Sequence, residues 1–377
     1  MKLITWLLAS LFVSVGTTQT EVKANMDKFY VTMNDLQPFL VNKTKFMDEK
    51  SRISVLGLLS AMNENVKNLK LKTMSKNDDM RFRVQLLSEG FDEAEQTFKA
   101  GFRDYSYWVV KSSLYNCYSC HTERGLPETK FNFSFSSDTS AFEKADFLFM
   151  IRNYSKSIGS FKKMVDEYPK NKLELEELRT AVKKSVYYYM RVQRDDVALL
   201  STINQFLKNK GLPIFLIRDM EQWKKYLEIK KYRILPEYEM FRTVKMLNEF
   251  ISERDQIATH FGEGQERFIV DQETLYFLHQ SLREDLDAEL KNQVFYWISK
   301  IQRAYRESMF DNSAEIYLTE CINLTSDYST AQKCLDEFKE QKLQSFDTRQ
   351  VEALPNLVRK QIDDYTLKVN RLSRKKK

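Results

Sequence analysis

The sequence predicts an all-α protein: a four-helix bundle near the N-terminus, followed by an α-solenoid of stacked helix pairs. Three observations predict this. Only 9 glycines and 6 prolines occur among 377 residues, 30% of which are charged. The usual shares are roughly 7% glycine and 5% proline, so a chain this poor in turn formers favours long helices with few tight bends. Apolar residues recur at steps of three and four. After about residue 142 the pattern changes from single long stripes to pairs of shorter helices.

The first element is a leader. "MKLITWLLASLFVSVG" has one lysine, an uncharged apolar run from Leu3 to Val15, then small and polar residues. That order marks a secretory signal peptide. The run is shorter than the roughly 20 residues of a bilayer span. Residues 1–24 are therefore expected to be removed, with cleavage after Gly16 or Ala24, leaving an exported (periplasmic) mature chain without a transmembrane segment. The formal charge of +6 falls to +5 when Lys2, Glu21 and Lys23 leave. This excess sits partly in the terminal "RLSRKKK", which reads as a solvated tail, and with export it argues against a nucleic-acid partner.

Four amphipathic stretches follow within residues 25–126. The first carries Met26, Phe29, Met33, Leu36 and Leu40, with Pro38 kinking or restarting it. The second carries Ile53, Leu56, Leu59, Met62, Val66 and Leu69, and the third Leu87, Phe91, Ala94, Phe98 and Phe102. The fourth places Tyr107, Val110, Leu114, Cys117 and His121 on one face. It ends with Arg124, a capping Gly125 and Pro127. Four such helices in about 100 residues read as an antiparallel bundle.

The fourth helix holds "YNCYSCHTERG". On a helix, positions i, i+3 and i+4 share a face. Cys117 and Cys120 can thus form thioethers to adjacent vinyl groups of one haem, while His121 supplies a nitrogen to the iron. Cys-x-x-Cys-His is a signature of c-type haem attachment, and such attachment is completed outside the cytoplasm, where the leader sends the chain. A redox dithiol would want an α/β context, and no strand pattern surrounds the motif. A structural zinc site needs four ligands, but His260, His279, Cys321 and Cys334 are scattered far downstream.

Residues 25–126 resemble the class II cytochromes c, the cytochrome c′ type, in placing Cys-x-x-Cys-His on the last of four helices. The resemblance covers about a quarter of the chain. It implies one covalent haem c with His121 as the proximal iron ligand. It also implies a sixth iron position facing the first helix, where Met33 is the candidate distal ligand and Met26 the next choice. Arg124 is placed to reach a haem propionate. Both methionines also suit plain core packing, and Arg124 suits the C-terminal end of the helix dipole.

Residues 127–138 form a polar linker and residues 139–347 a repeat region. "ADFLFMIRNYSKSIGSFKKMVDEYPKN" (145–171) resembles one tetratricopeptide repeat. Ala145 and Leu148 fall on its first helix, Tyr154, Ser157, Phe161 and Met164 on its second, and Pro169 closes it. Four looser pairs follow, then a C-terminal helix and basic tail (348–377). Cys321 and Cys334 flank the "LTSDYS" turn of a helix hairpin, a spacing that permits a disulfide in an oxidising compartment and equally permits two buried thiols.

The expected function is one-electron transfer by an exported mono-haem cytochrome docked through its repeats onto a protein redox partner. The alternative is a haem-based gas or redox sensor, or a scaffold, whose repeats do the binding. No distal acid–base pair of the kind a peroxidase needs is visible, so no enzymatic activity is expected.

Overall fold

The structure is a computed structural model. It describes residues 24–25, 27–73, 78–123, 133–232, 241–262, 265–305 and 313–375, with backbone alone in 69–73, 78–83, 116–123, 231–232, 313 and 375. Among these residues there are sixteen α-helices and no strand, so the chain is all-α. None of the helices among them is long and apolar enough to cross a membrane. Two compact units divide the chain, one of residues 1–117 with 131–139 and one of residues 118–130 with 140–377.

In the first unit, α1 (residues 27–40) runs through Pro38 and stops two residues later. The chain restarts as α2 (Lys43–Met47), where the Asn42 side chain accepts from Lys45 N at 3.0 Å. Phe46 of α2 is fully buried, edge-on to Phe98 and Tyr107. The long helices α3 (Arg52–Thr73) and α4 (Asp78–Lys99) pack antiparallel. Ser60 and Asn63 of α3 donate to Glu95 of α4 at 2.6 and 2.7 Å, and Asn63 also donates to Asp92 at 3.0 Å. At Gly101 the backbone turns with φ +91°, and Phe102 N bonds back to Thr97 O at 2.9 Å. This left-handed close of a helix suits glycine.

From there α5 (Arg103–Glu123) returns against α4, and Ser106 Oγ donates to Ala94 O at 2.7 Å. α1 joins the same core. Phe29 meets Phe91 edge-on, Asn65 donates to Thr32 Oγ1 at 3.0 Å, and the Tyr107 hydroxyl donates to Leu40 O at 2.8 Å.

The expected stripes mostly bury. Met33, Leu36, Leu40, Leu59, Met62, Val66, Phe91, Phe98, Val110 and Leu114 line the core. Two do not follow the expectation: Ile53 is 86% and Phe102 41% exposed, while Val55 is fully buried. The buried face of α3 runs through Val55, Leu59, Met62 and Val66, and Ile53, two residues before Val55, falls on the opposite side of the helix.

The second unit is a succession of helix pairs: α6 (Ala141–Met150) with α7 (Tyr154–Glu167), then α8 (Leu175–Tyr187) with α9 (Asp196–Phe206). α10 (Ile214–Tyr232) with α11 (Val244–Phe261) and α12 (Phe268–Ser281) with α13 (Ala288–Arg303) continue it. α14 (Ser313–Leu324), α15 (Tyr328–Ser345) and α16 (Asn356–Lys375) complete it. Each of these helices packs on a helix one or two places away along the chain.

Ser140 and Glu143 start α6 with a reciprocal capping box. Ser157 of α7 approaches closely enough to donate its hydroxyl to Ala145 O at 2.7 Å, with Tyr154, Phe161 and Met164 buried beside it and Leu148 half-buried. Small residues at this crossing let the two backbones meet. α8 runs on as a π-helical turn, Tyr188–Gln193, ending at Arg194 with φ +56°.

Three buried ion pairs tie helices of this unit together: Lys184 with Asp146 (α8 to α6), Arg254 with Glu273 (α11 to α12) and Lys342 with Glu315 (α15 to α14). Cys321 of α14 and Cys334 of α15, both fully buried, are joined by a disulfide with Cα atoms 6.2 Å apart.

Candidate functional site

The candidate site begins with why α5 is a helix. Tyr107, Val110 and Leu114 bury along one face against α1 and α4. Three serines on the buried side satisfy their own hydroxyls on nearby carbonyls. Ser112 bonds to Trp108 O at 2.5 Å and Ser113 to Val109 O at 2.8 Å, while Ser106 reaches across to α4. Small side chains here let α4 approach: a Cβ on Gly90 would collide with Ser113 Oγ. Lys111, also buried, lies 5.6 Å from the Tyr107 ring centre.

The helical backbone continues unbroken through Cys117, Cys120 and His121 to Glu123. The side chains of these three residues lie outside the described residues, as do Arg124 and Met26 altogether. Among the described residues no cluster of three His, Cys, Asp or Glu is placed to hold a metal ion.

Met33 is described and buried on α1, 9% exposed. Its height on α5 follows from the register. α1 and α5 run antiparallel, and Leu40 O meets the Tyr107 hydroxyl. Seven residues back from Leu40, Met33 comes level with about Leu114. At 1.5 Å per residue this is about 10 Å short of His121 along α5. Counting from the Phe29–Phe91 and Asn65–Thr32 contacts places Met33 lower still. This register favours a core-packing role for Met33. One turn further on, Gln37 is buried with its Nε2 lacking a hydrogen-bond partner.

Three of the four residues that a downstream zinc site would have used are engaged elsewhere. Cys321 and Cys334 bond to each other, and buried His279 meets the Tyr317 hydroxyl at 3.2 Å. His260 is exposed on α11.

The structure also holds charged groups that sequence reasoning passed over. Lys183 is buried and lies 5.6 Å from the ring centres of both Phe268 and Tyr305. Burial first, and then Arg179 beside it, bring its pKa down to about 8. Asp219 is pushed up to about 6 by burial and by Glu266. In "AVKKSV" adjacent lysines read as a solvated helix face. The only hint of burial is that valines bracket them.

No protein-family model, no curated protein and no solved structure matches the chain.

Proposed function

We propose that the chain is an exported c-type cytochrome carrying one haem c and transferring single electrons. Its helix-pair unit docks it onto a protein redox partner. The carrying observation is that Cys117, Cys120 and His121 fall on consecutive turns of one unbroken helix, α5. That backbone repeats the i, i+3, i+4 spacing the attachment requires. A haem held there supplies a one-electron iron couple. Cys117 and Cys120 anchor it, His121 provides the imidazole nitrogen, and Arg124, three residues on, offers a guanidinium to a propionate. The leader that directs export supports the same reading, because attachment belongs outside the cytoplasm. The test is a pyridine haemochrome assay on protein exported by a host that matures c-type cytochromes. One haem per chain is expected, lost in Cys117→Ala/Cys120→Ala; haem that washes out under denaturing conditions would reject the proposal.

A second reading, a haem-based gas sensor, is favoured by the height of Met33, level with about Leu114 and so about two turns short of His121. With no ligand from Met33, the sixth iron position would be open to a small gas. Carbon monoxide added to the reduced protein distinguishes the readings. Rapid binding unchanged by Met33→Leu supports an open site, whereas slow binding accelerated by Met33→Leu restores methionine ligation and electron transfer.

A further inference from the structure

The second unit contains a cleft of about 340 Å³ between α10 and α11, well separated in sequence from the cysteine motif. Its size falls in the range of small-molecule sites, which combine apolar walls with a few convergent polar groups. Ile229, Ile257 and Phe261 form the apolar walls, and Lys230 and His260 bring nitrogen donors to it.

Lys230 is the informative residue. Its ammonium bonds to Glu273 at 2.6 Å and to Asp196 at 2.8 Å. An ammonium has three donors, so one remains for an acceptor in the cleft. Burial alone would lower the pKa of Lys230, but Glu273 and Asp196 outweigh it and raise it, so the group stays charged.

The carboxylate behind it does not cancel this charge alone, because Glu273 also takes hydrogen bonds from the Tyr226 hydroxyl and from Arg254, the latter at 2.7 Å. Asp196 is half-exposed and partly screened by solvent. Glu253 also lines the cleft, at an exposed position where solvent screens its charge.

We propose that this cleft binds a small organic acid, its carboxylate on the Lys230 ammonium and its short apolar or aromatic body between Ile229, Ile257 and Phe261. The test is calorimetric titration of the full chain with benzoate, compared with benzyl alcohol and benzylamine, which match its size but not its charge. Saturable benzoate binding about tenfold or more tighter than either comparator is expected. Ile257→Trp, which fills the cleft, abolishes it, while Val197→Trp, at an exposed position on α9, leaves it intact. Should Ile257→Trp fail to fold by circular dichroism, Gln256→Trp fills the same space from an exposed position. Equal binding of the three probes, no saturable benzoate binding, or binding that survives a folded cleft-filling variant would overturn the proposal.

Discussion

The two units keep their charges in different places. In the first, most ion pairs sit at the edge of an apolar, aromatic core, as between Lys67 and Asp92 or Arg52 and Glu49, whose partners are largely exposed. In the second, charges run through the interior: Lys184 and Asp146, Arg254 and Glu273, and Lys342 and Glu315 are buried with their partners. Apolar packing tolerates small slips of register, whereas a buried charge needs its partners in place. A series of similar helix pairs stacks correctly only if each pair recognises its neighbour. Two of these ion pairs, Lys184 with Asp146 and Arg254 with Glu273, join one helix pair to the next, at some cost in stability relative to apolar replacements.

Removing one partner of a buried pair should give the largest effect. Lys184→Met removes the cation paired with buried Asp146 and is expected to cost roughly 3–5 kcal/mol. Lys184→Met/Asp146→Leu should recover most of that in urea unfolding. Equal losses in the single and double variants would show that the pair does not act as a unit. Next comes the disulfide between α14 and α15. Closing a 13-residue separation should contribute about 3 kcal/mol, measured as the drop in denaturation midpoint on Cys321→Ala/Cys334→Ala.

In the first unit the sensitive point is steric. Gly90→Ala drives a methyl into Ser113 and should cost about 1–3 kcal/mol. The loss should be largely relieved in Gly90→Ala/Ser113→Ala, with thermal unfolding as the readout.

The smallest effect is electrostatic. Burial would raise the Glu95 pKa, but hydrogen bonds from Asn63, Lys99 and Ser60 outweigh it and bring it down to about 2. A depressed carboxylate stabilises above its unfolded value of about 4.3. That stability is lost as pH falls from there toward 2. Glu95→Gln should flatten this part of the stability–pH curve, and an unchanged curve would place the acid sensitivity elsewhere.

Much of this architecture was legible in the sequence, and the misses have physical causes. The stripes of α1, α3, α4 and α5, the Ala145–Ser157 crossing of α6 on α7 and the pairing of later helices follow from apolar periodicity. The exposure of Ile53 was missed because the buried face of α3 is set by Val55, Leu59, Met62 and Val66, and an apolar residue two positions before Val55 lies on the other side. The burial of Lys183, Lys184 and Lys342 is not signalled by apolar periodicity, and only their tertiary partners make it tolerable. The height of Met33 was equally hidden. A methionine at helical spacing says which face it takes, while its level against α5 is set by contacts such as Tyr107 to Leu40. The Cys-x-x-Cys-His motif itself was the plainest signal in the chain, since its chemistry is local and needs only a helix.

The most direct test of the central claim is mass spectrometry of the peptide spanning Tyr115–Gly125, taken from protein exported by a cytochrome c-maturing host. The expected result is a peptide carrying one haem bound through both Cys117 and Cys120. A peptide with both thiols unmodified, or joined to each other as a disulfide, would contradict it.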